Sequence, residues 1–268
     1  NIELVSTDTD KDIIRRGDKY ASSEMCLSLK IFLGHVDYLK DKCDYILIPK
    51  IDNFGLNDQM CSNFGCLYDL VNNLFDMKIL TYELNYLKRK NEKKGLFKIG
   101  IELGFDKKFL TKAYKITCLK YNKKLKQLVI SNLNKLDSSN KKVLIVAHSY
   151  NIHDNYIGKI IVKNLERYHI EVIYSDLFND TNNLASYLSP NLYWKYSKEN
   201  IGSIVLCKEK IDGIIFLSTF PCGLDSLVNE LVMRKINKPY LNLIIDDLDA
   251  EAGIETRIES FVDIIDQD

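Results

Sequence analysis

Apolar positions along the second half of the chain fall into two alternating periods. "KVLIVAHS" (142–149) is apolar at five successive positions, the pattern of a short strand buried on both faces. "NYIGKIIVKNLERY" (155–168) then places apolar residues at helical spacing, and "IEVIYSD" (170–176) is a second strand. "SPNLYWKYSKENIGSIVLCKEK" (189–210) reads mostly as helix, "DGIIFLST" (212–219) as strand, and residues 223–235 as helix. "PYLNLIID" (239–246) is a further strand, and "AGIETRIESFVDII" (252–265) mixes apolar and charged positions at helical spacing. Strand and helix alternating in this way predict a parallel sheet covered on both faces.

The first half is a weaker copy. "IELVST" (2–7) reads as a strand, "SLKIFLGHVDYLK" (28–40) as a helix and "CDYILIPKI" (43–51) as a strand. "CSNFGCLYDLVNNLF" (61–75) follows as a helix and "MKILTYEL" (77–84) as a third strand. The lysine-rich stretch 105–135, with Phe109, Ala113, Ile116 and Leu119 at helical intervals, is a connecting helix whose charges form a solvated face. Because the chain enters directly at a strand, a further β–α unit is expected before Asn1. The polar stretch "LDSSNKK" (136–142) marks the boundary. The expected fold class is therefore α/β, with two Rossmann-like domains, 1–137 and 138–268. Ligands are expected in the crevice between them, at the carboxyl ends of the strands.

Composition narrows the class. Lysine plus arginine equals aspartate plus glutamate at 37 each in 268 residues. That excludes a general nucleic-acid binder, which carries a basic excess, but leaves room for a local basic pocket. No apolar run is long enough to span a membrane and no secretory leader is recognisable, so a cytoplasmic protein is expected. Seven cysteines without a tight framework argue for burial or metal ligation rather than disulfides. No CxxC pair, HExxH pair or Gly-rich phosphate loop is present.

Three of the cysteines share a setting. Cys26 precedes the helix at 28–40, Cys61 opens the helix at 61–75, and Cys222 follows "IIFLSTFP" and opens the next helix. Helix N-termini favour thiolates, the form that binds metals, and suit an anionic thiolate-ligated cluster. Three protein thiolates would leave one iron of a [4Fe–4S] cluster open to a substrate atom. Position alone leaves each of the three equally open to the plainer reading of a buried inert thiol. Cys43, Cys118 and Cys207 read as core filling. Cys66 lies five residues after Cys61, poorly aligned with it on a helix face.

Several segments together resemble a known group. "SEMCLSLKIFLGHVDYL", "CDYILIPKI", "CSNFGCLYDLV", "AHSYNIHDNYIG", "FPCGLDSL" and "AGIETRIESFVDII" are similar to the 2-hydroxyacyl-CoA dehydratase and benzoyl-CoA reductase superfamily. Within it they most resemble the branch of acyl-CoA dehydratase activase-related proteins. The resemblance runs from about residue 16 to the end and weakens over 85–135. It implies two Rossmann-like halves around an iron–sulfur cluster held by Cys26, Cys61 and Cys222, with Cys66 left out. It further implies an ATP-hydrolysing [4Fe–4S] activase as electron donor and an acyl-CoA substrate. Dehydratases of the superfamily remove water from 2-hydroxyacyl-CoA through a ketyl radical, and other members carry a double-cubane cluster and reduce small molecules. The chain carries no nucleotide signature and so resembles the electron-accepting component. A homodimer and a heterodimer both remain open.

In "AHSYNIHDN", His148, Tyr150 and Asn151 are candidates for surrounding a cluster or giving a proton to substrate. The competing reading is a turn network, which also accounts for Asp154 as a helix cap; His153 falls at a variable position. His35 reads as a packed or hydrogen-bonded histidine. Arg257 reads either as an anion holder at the cleft or as a salt-bridge partner of Glu255, Glu259 or the run "DDLDAE". Trp194 and the tyrosines of "YWKYS" read as packing. Two rivals from other classes stand beside the catalytic reading: a cluster protein that only relays electrons or supports a complex, and a cluster-free two-lobed binder.

Overall fold

The computed structural model describes residues 2–246 and 251–267, with the side chains of 251 and 252 left aside. The protein is α/β, and among the described residues its two-stranded and four-stranded sheets are wholly parallel, while a three-stranded sheet has one parallel and one antiparallel pair. The second half holds four parallel strands, β6 (Lys142–Val146), β7 (Glu171–Tyr174), β8 (Gly213–Thr219) and β9 (Tyr240–Ile245), in the order β7-β6-β8-β9. Every residue of β6 and β8 is buried, which is why their sequences are continuous apolar runs. The chain turns outward from β6 to β7, then crosses back to β8. The switch point therefore lies between the carboxyl ends of β6 and β8, where open α/β sheets bind their ligands.

In the first half, α1 (Lys11–Asp18) and α2 (Leu27–Leu39) precede four short strands: β1 (Ile46–Leu47), β2 (Lys50–Gly55), β4 (Ile79–Leu80) and β5 (Glu83–Asn85). β1 pairs with β4 and β2 with β5, both parallel, so that two chain segments run side by side as one interrupted ribbon. The two-residue β3 (Asp58–Gln59) returns antiparallel on β2. The helix expected over 61–75 is broken at Cys66 into α3 (Ser62–Gly65) and α4 (Leu67–Leu74). Residues 2–7, expected as a strand, form none. A strand needs a neighbour to complete its ladder, and here Ile2, Leu4 and Val5 lie exposed. α1 was not anticipated, although Asp10 caps it in the ordinary way by accepting the Ile13 N–H.

Between the halves run α5 (Glu92–Glu102) and the thirty-residue α6 (Lys107–Leu136). The end of α6 closes one edge of the sheet: Asn132 exchanges hydrogen bonds with the Tyr174 backbone, and Lys135 donates to the Val172 carbonyl. The remaining helices are α7 (Ser149–Ile152), α8 (Gly158–Arg167), α9 (Lys195–Cys207), α10 (Gly223–Met233) and α11 (Glu251–Gln267). One face of the sheet packs on α8 and α11 through Ile161, Leu165, Ile258 and Phe261; the other packs on α9 and α10 through Ile201, Ile204, Val228 and Val232.

α2 belongs to both halves. Leu27 and Ile31 enter the core of the second half, while Leu33 and Val36 pack with Ile48, Val71 and Phe75 in the first. α1 lies against it backbone to backbone. A Cβ on Gly17 would stand 1.8 Å from the Lys30 carbonyl oxygen, and one on Gly34 1.9 Å from that of Ile13. At the same contact Asp37 accepts hydrogen bonds from Arg16 of α1, from Tyr20 just after it, and from Lys40 at the end of its own helix. Burial pushes the Asp37 carboxyl up, but these three donors outweigh it and bring it down to about 2.

Candidate active site

Three separate stretches of chain deliver the three thiols. Cys26, Cys61 and Cys222 are the N-cap residues of α2, α3 and α10, all with extended backbone. The Cys61 sulfur accepts the Phe64 N–H at 3.4 Å and the Cys222 sulfur the Asp225 N–H at 3.5 Å, as a capping oxygen would. Backbone contacts bring the stretches together. The Leu27 N–H, next to Cys26, donates to the carbonyl of Phe220 at 2.9 Å, two residues before Cys222. The Gln59 N–H, two residues before Cys61, donates to the Tyr193 carbonyl at 2.9 Å, and Lys198 pairs with Asp58 at 2.5 Å. The first half is thereby held against α9 and the β8–α10 turn.

The result is one cavity of about 440 Å³ between the halves, lined by all three thiols together with His148 and Tyr150. Asn151 lines an adjoining recess that shares Cys26, Cys61 and Tyr150 with the cavity. Asn151 itself is buried and accepts a hydrogen bond from Ser28 at 2.7 Å. The single Ser28 hydroxyl proton is spent there, so Thr219, 2.9 Å away, donates to Ser28. This chain of three hydroxyl and amide groups joins α2, α7 and the end of β8 beside Cys26.

His148 and Cys222 emerge at the two sides of the switch point, and Asp225 stands between them. Its carboxylate is 3.0 Å from His148 Nε2, while its backbone N–H donates to the Cys222 sulfur. Burial pushes the Asp225 carboxyl up, but the His148 charge and hydrogen bonds outweigh it and hold it below its ordinary range. For His148, burial pushes the imidazole down, and Asp225 more than compensates, leaving it above its ordinary value. Tyr150 stacks on His148 with centroids 5.0 Å apart and planes 9° from parallel, and Tyr196 meets His148 edge-on at 5.7 Å. The Tyr150 ring is partly exposed along the cavity, yet burial, Asp225 and the three thiols push its phenol well above the ordinary value.

Cys61 and Cys222 are held towards their protonated form for the same reason. Burial, followed by Asp225, pushes Cys222 up to about 12, and burial with Cys26 and Asp225 nearby raises Cys61. A catalytic nucleophile needs the opposite environment, a cation or a base beside the sulfur. The fold does supply a histidine near Cys222, which sequence separation had hidden, but it interposes an anion between them.

Of the remaining candidates, His35 and Asp154 line the recess and Trp194 and Tyr196 the cavity, and the others lie outside both. Cys66 is exposed and lines neither chamber; Cys43 donates to the Leu39 carbonyl, and Cys207 is buried and donates to that of Ser203. Asp154 accepts the N–H groups of Tyr156 and Ile157, the capping role. His153 bonds Asp176, and His35 bonds Thr9. Arg257 donates to the Asn242 carbonyl and lines neither chamber; residues 247–250 of its acidic run lie outside the described residues. Trp194 and Tyr196, read as packing, line the cavity as well. Asp225 escaped notice because a first-turn aspartate is an ordinary helix feature.

Residues 3–178 match the family described as CoA enzyme activase uncharacterised domain (DUF2229). The chain belongs to that family. The matched stretch of this activase-related domain carries Cys26, Cys61, His148, Tyr150 and Asn151 and ends before Cys222 and Asp225. A comparison with curated proteins gives no match. Among the described residues no three His, Cys, Asp or Glu side chains are grouped to hold a metal ion, and no helix is long and apolar enough to cross a membrane.

Proposed function

We propose that this activase-related protein is the electron-accepting component of a system like the 2-hydroxyacyl-CoA dehydratases, with a [4Fe–4S] cluster on Cys26, Cys61 and Cys222. The observation that carries this reading is the convergence of three helix-capping thiols, from three distant segments, on one cavity at the switch point of a parallel sheet. Each thiolate of a cubane binds a different iron, so its ligands need not converge on one point as those of a single ion must. The donor set suits such a group: three soft sulfurs line a space larger than one ion needs, and coordination would displace thiol protons, which at Cys61 and Cys222 burial and Asp225 now favour.

When bound, the cluster would supply one-electron chemistry, charged by an ATP-hydrolysing activase, to a small acyl-CoA-like substrate. The protein's own residues supply the rest. His148, held by Asp225, and Tyr150, stacked on it, each carry a proton at the cavity wall. Phe64, Trp194 and Tyr196 limit the water around the thiols. The open space beside the sulfurs favours catalysis over a pure relay, which has no use for a substrate cavity.

Anaerobic purification tests the reading. The expected product is a brown protein with about four irons per chain. Replacing Cys26, Cys61 or Cys222 by Ser should each remove most of that iron, and replacing Cys43, Cys66, Cys118 or Cys207 should not. A colourless protein, or iron indifferent to the first three substitutions, would overturn it.

A further inference from the structure

Next to the thiol cavity lies a second recess of about 250 Å³. Cys26, Ser28, Cys61, Asn63, Phe64 and Tyr150 form the wall common to both. Beyond that wall the chemistry changes. The recess continues between Leu29, Ile31, Phe32, Leu67 and Ile157, while the cavity carries Asp225, His148, Gln59 and Thr219.

Beyond the common wall, Asp154 and Asn151 are engaged in side-chain hydrogen bonds, and His35 is engaged through Nε2 alone, its buried Nδ1 having no hydrogen-bond partner among the described residues. His35 Nε2 bonds Thr9 at 3.1 Å, and Thr9 donates to Asp154. The other Asp154 oxygen accepts two backbone N–H groups, and Asn151 holds Ser28. Burial pushes the His35 imidazole down, towards its neutral form. Among the described residues lining the recess there is no lysine or arginine. A carboxylate or phosphate entering it would lose its hydration and meet Asp154 without a compensating cation.

We propose that this recess binds the uncharged, apolar end of a small substrate whose reacting end lies in the thiol cavity. For the reacting end the inference rests on the function proposed above; for the apolar end it rests on the recess alone. A cavity of about 150 Å³ lined by Leu, Ile and Phe holds benzene, so this one accepts an aliphatic or aromatic group of up to roughly ten carbons. Longer chains are excluded by space and chains ending in an anion by charge.

The test is a titration of the protein with benzene, 1-hexanol and hexanoate, as isolated and after iron removal, followed by NMR shifts at residues 29–35 and 154–157. Benzene and hexanol should bind and hexanoate should not. Leu67→Trp, which fills the recess from α4, should weaken hexanol on the order of tenfold, as lost apolar burial requires. Should that variant fail to fold, Leu67→Ala decides: the larger recess should favour 1-dodecanol, too long for the wild-type recess, over 1-hexanol relative to wild type. Absence of benzene and hexanol binding overturns the proposal, as does hexanoate binding as tightly as hexanol, or an alcohol preference unmoved by either variant. Because the probes need no iron, a protein that binds hexanol but holds no cluster refutes the cluster and keeps the recess. A brown protein that ignores the probes does the reverse.

Discussion

The two halves present their thiols to the cavity on supports of different stiffness. Cys222 leaves β8, seven residues all buried and flanked by strands on both sides. Cys61 hangs from the β2–β3 hairpin, where Asn53 is the one buried position among the six of β2. Cys26 starts α2, whose apolar residues are divided between two cores. The second half is thus a frame held by burial. The first is joined to it by Ile13, Ile14, Leu27 and Ile31 of α1 and α2, which enter that core, and around the site by backbone and side-chain hydrogen bonds individually worth about 0.5–1.5 kcal/mol.

Substitutions can break this comparison. The largest expected effect is in the frame: Ile215→Ala in β8 should cost about 2–5 kcal/mol in urea denaturation, since a fully buried side chain leaves a cavity. Leu47→Ala in β1, half exposed, should stay within about 0.5 kcal/mol. Equal losses would show that the two sheets carry equal weight.

Next in size is the α1–α2 contact. Asp37 is depressed from 3.8 to about 2 in the folded protein. Its contribution, up to about 2 kcal/mol, is present in full above pH 4 and is lost as pH falls towards 2. Asp37→Asn should flatten that part of the stability profile, measured by denaturation at a series of pH values. An unchanged profile would mean that Arg16, Tyr20 and Lys40 do not stabilise the carboxylate.

The smallest effect is expected at the fastening itself. Ser28→Ala leaves Asn151 and Thr219 without their shared partner and should cost about 1–2 kcal/mol. Native-state hydrogen exchange should show the loss concentrated in α2 and α7. A loss spread evenly over the sheet would deny that the halves separate at this point.

Sequence pattern alone located the four strands of the second half: β6 and β8, buried on both faces, must be continuous apolar runs, and the edge strands β7 and β9 keep enough of that pattern to be found. It was less reliable in the first half. Short, half-buried strands leave an ambiguous pattern, so β1 and β2 read as one strand, and the alternation of 2–7 read as a strand that no neighbour completes. It also marked Cys26, Cys61 and Cys222 as a set, since a thiol opening a helix is a local feature. Tertiary structure alone decided that these thiols face one cavity, that α2 serves two cores, and that Asp225 meets His148 across 77 residues of chain. Local periodicity records which face of an element is buried. Which distant side chain fills the space opposite is settled only when the elements pack.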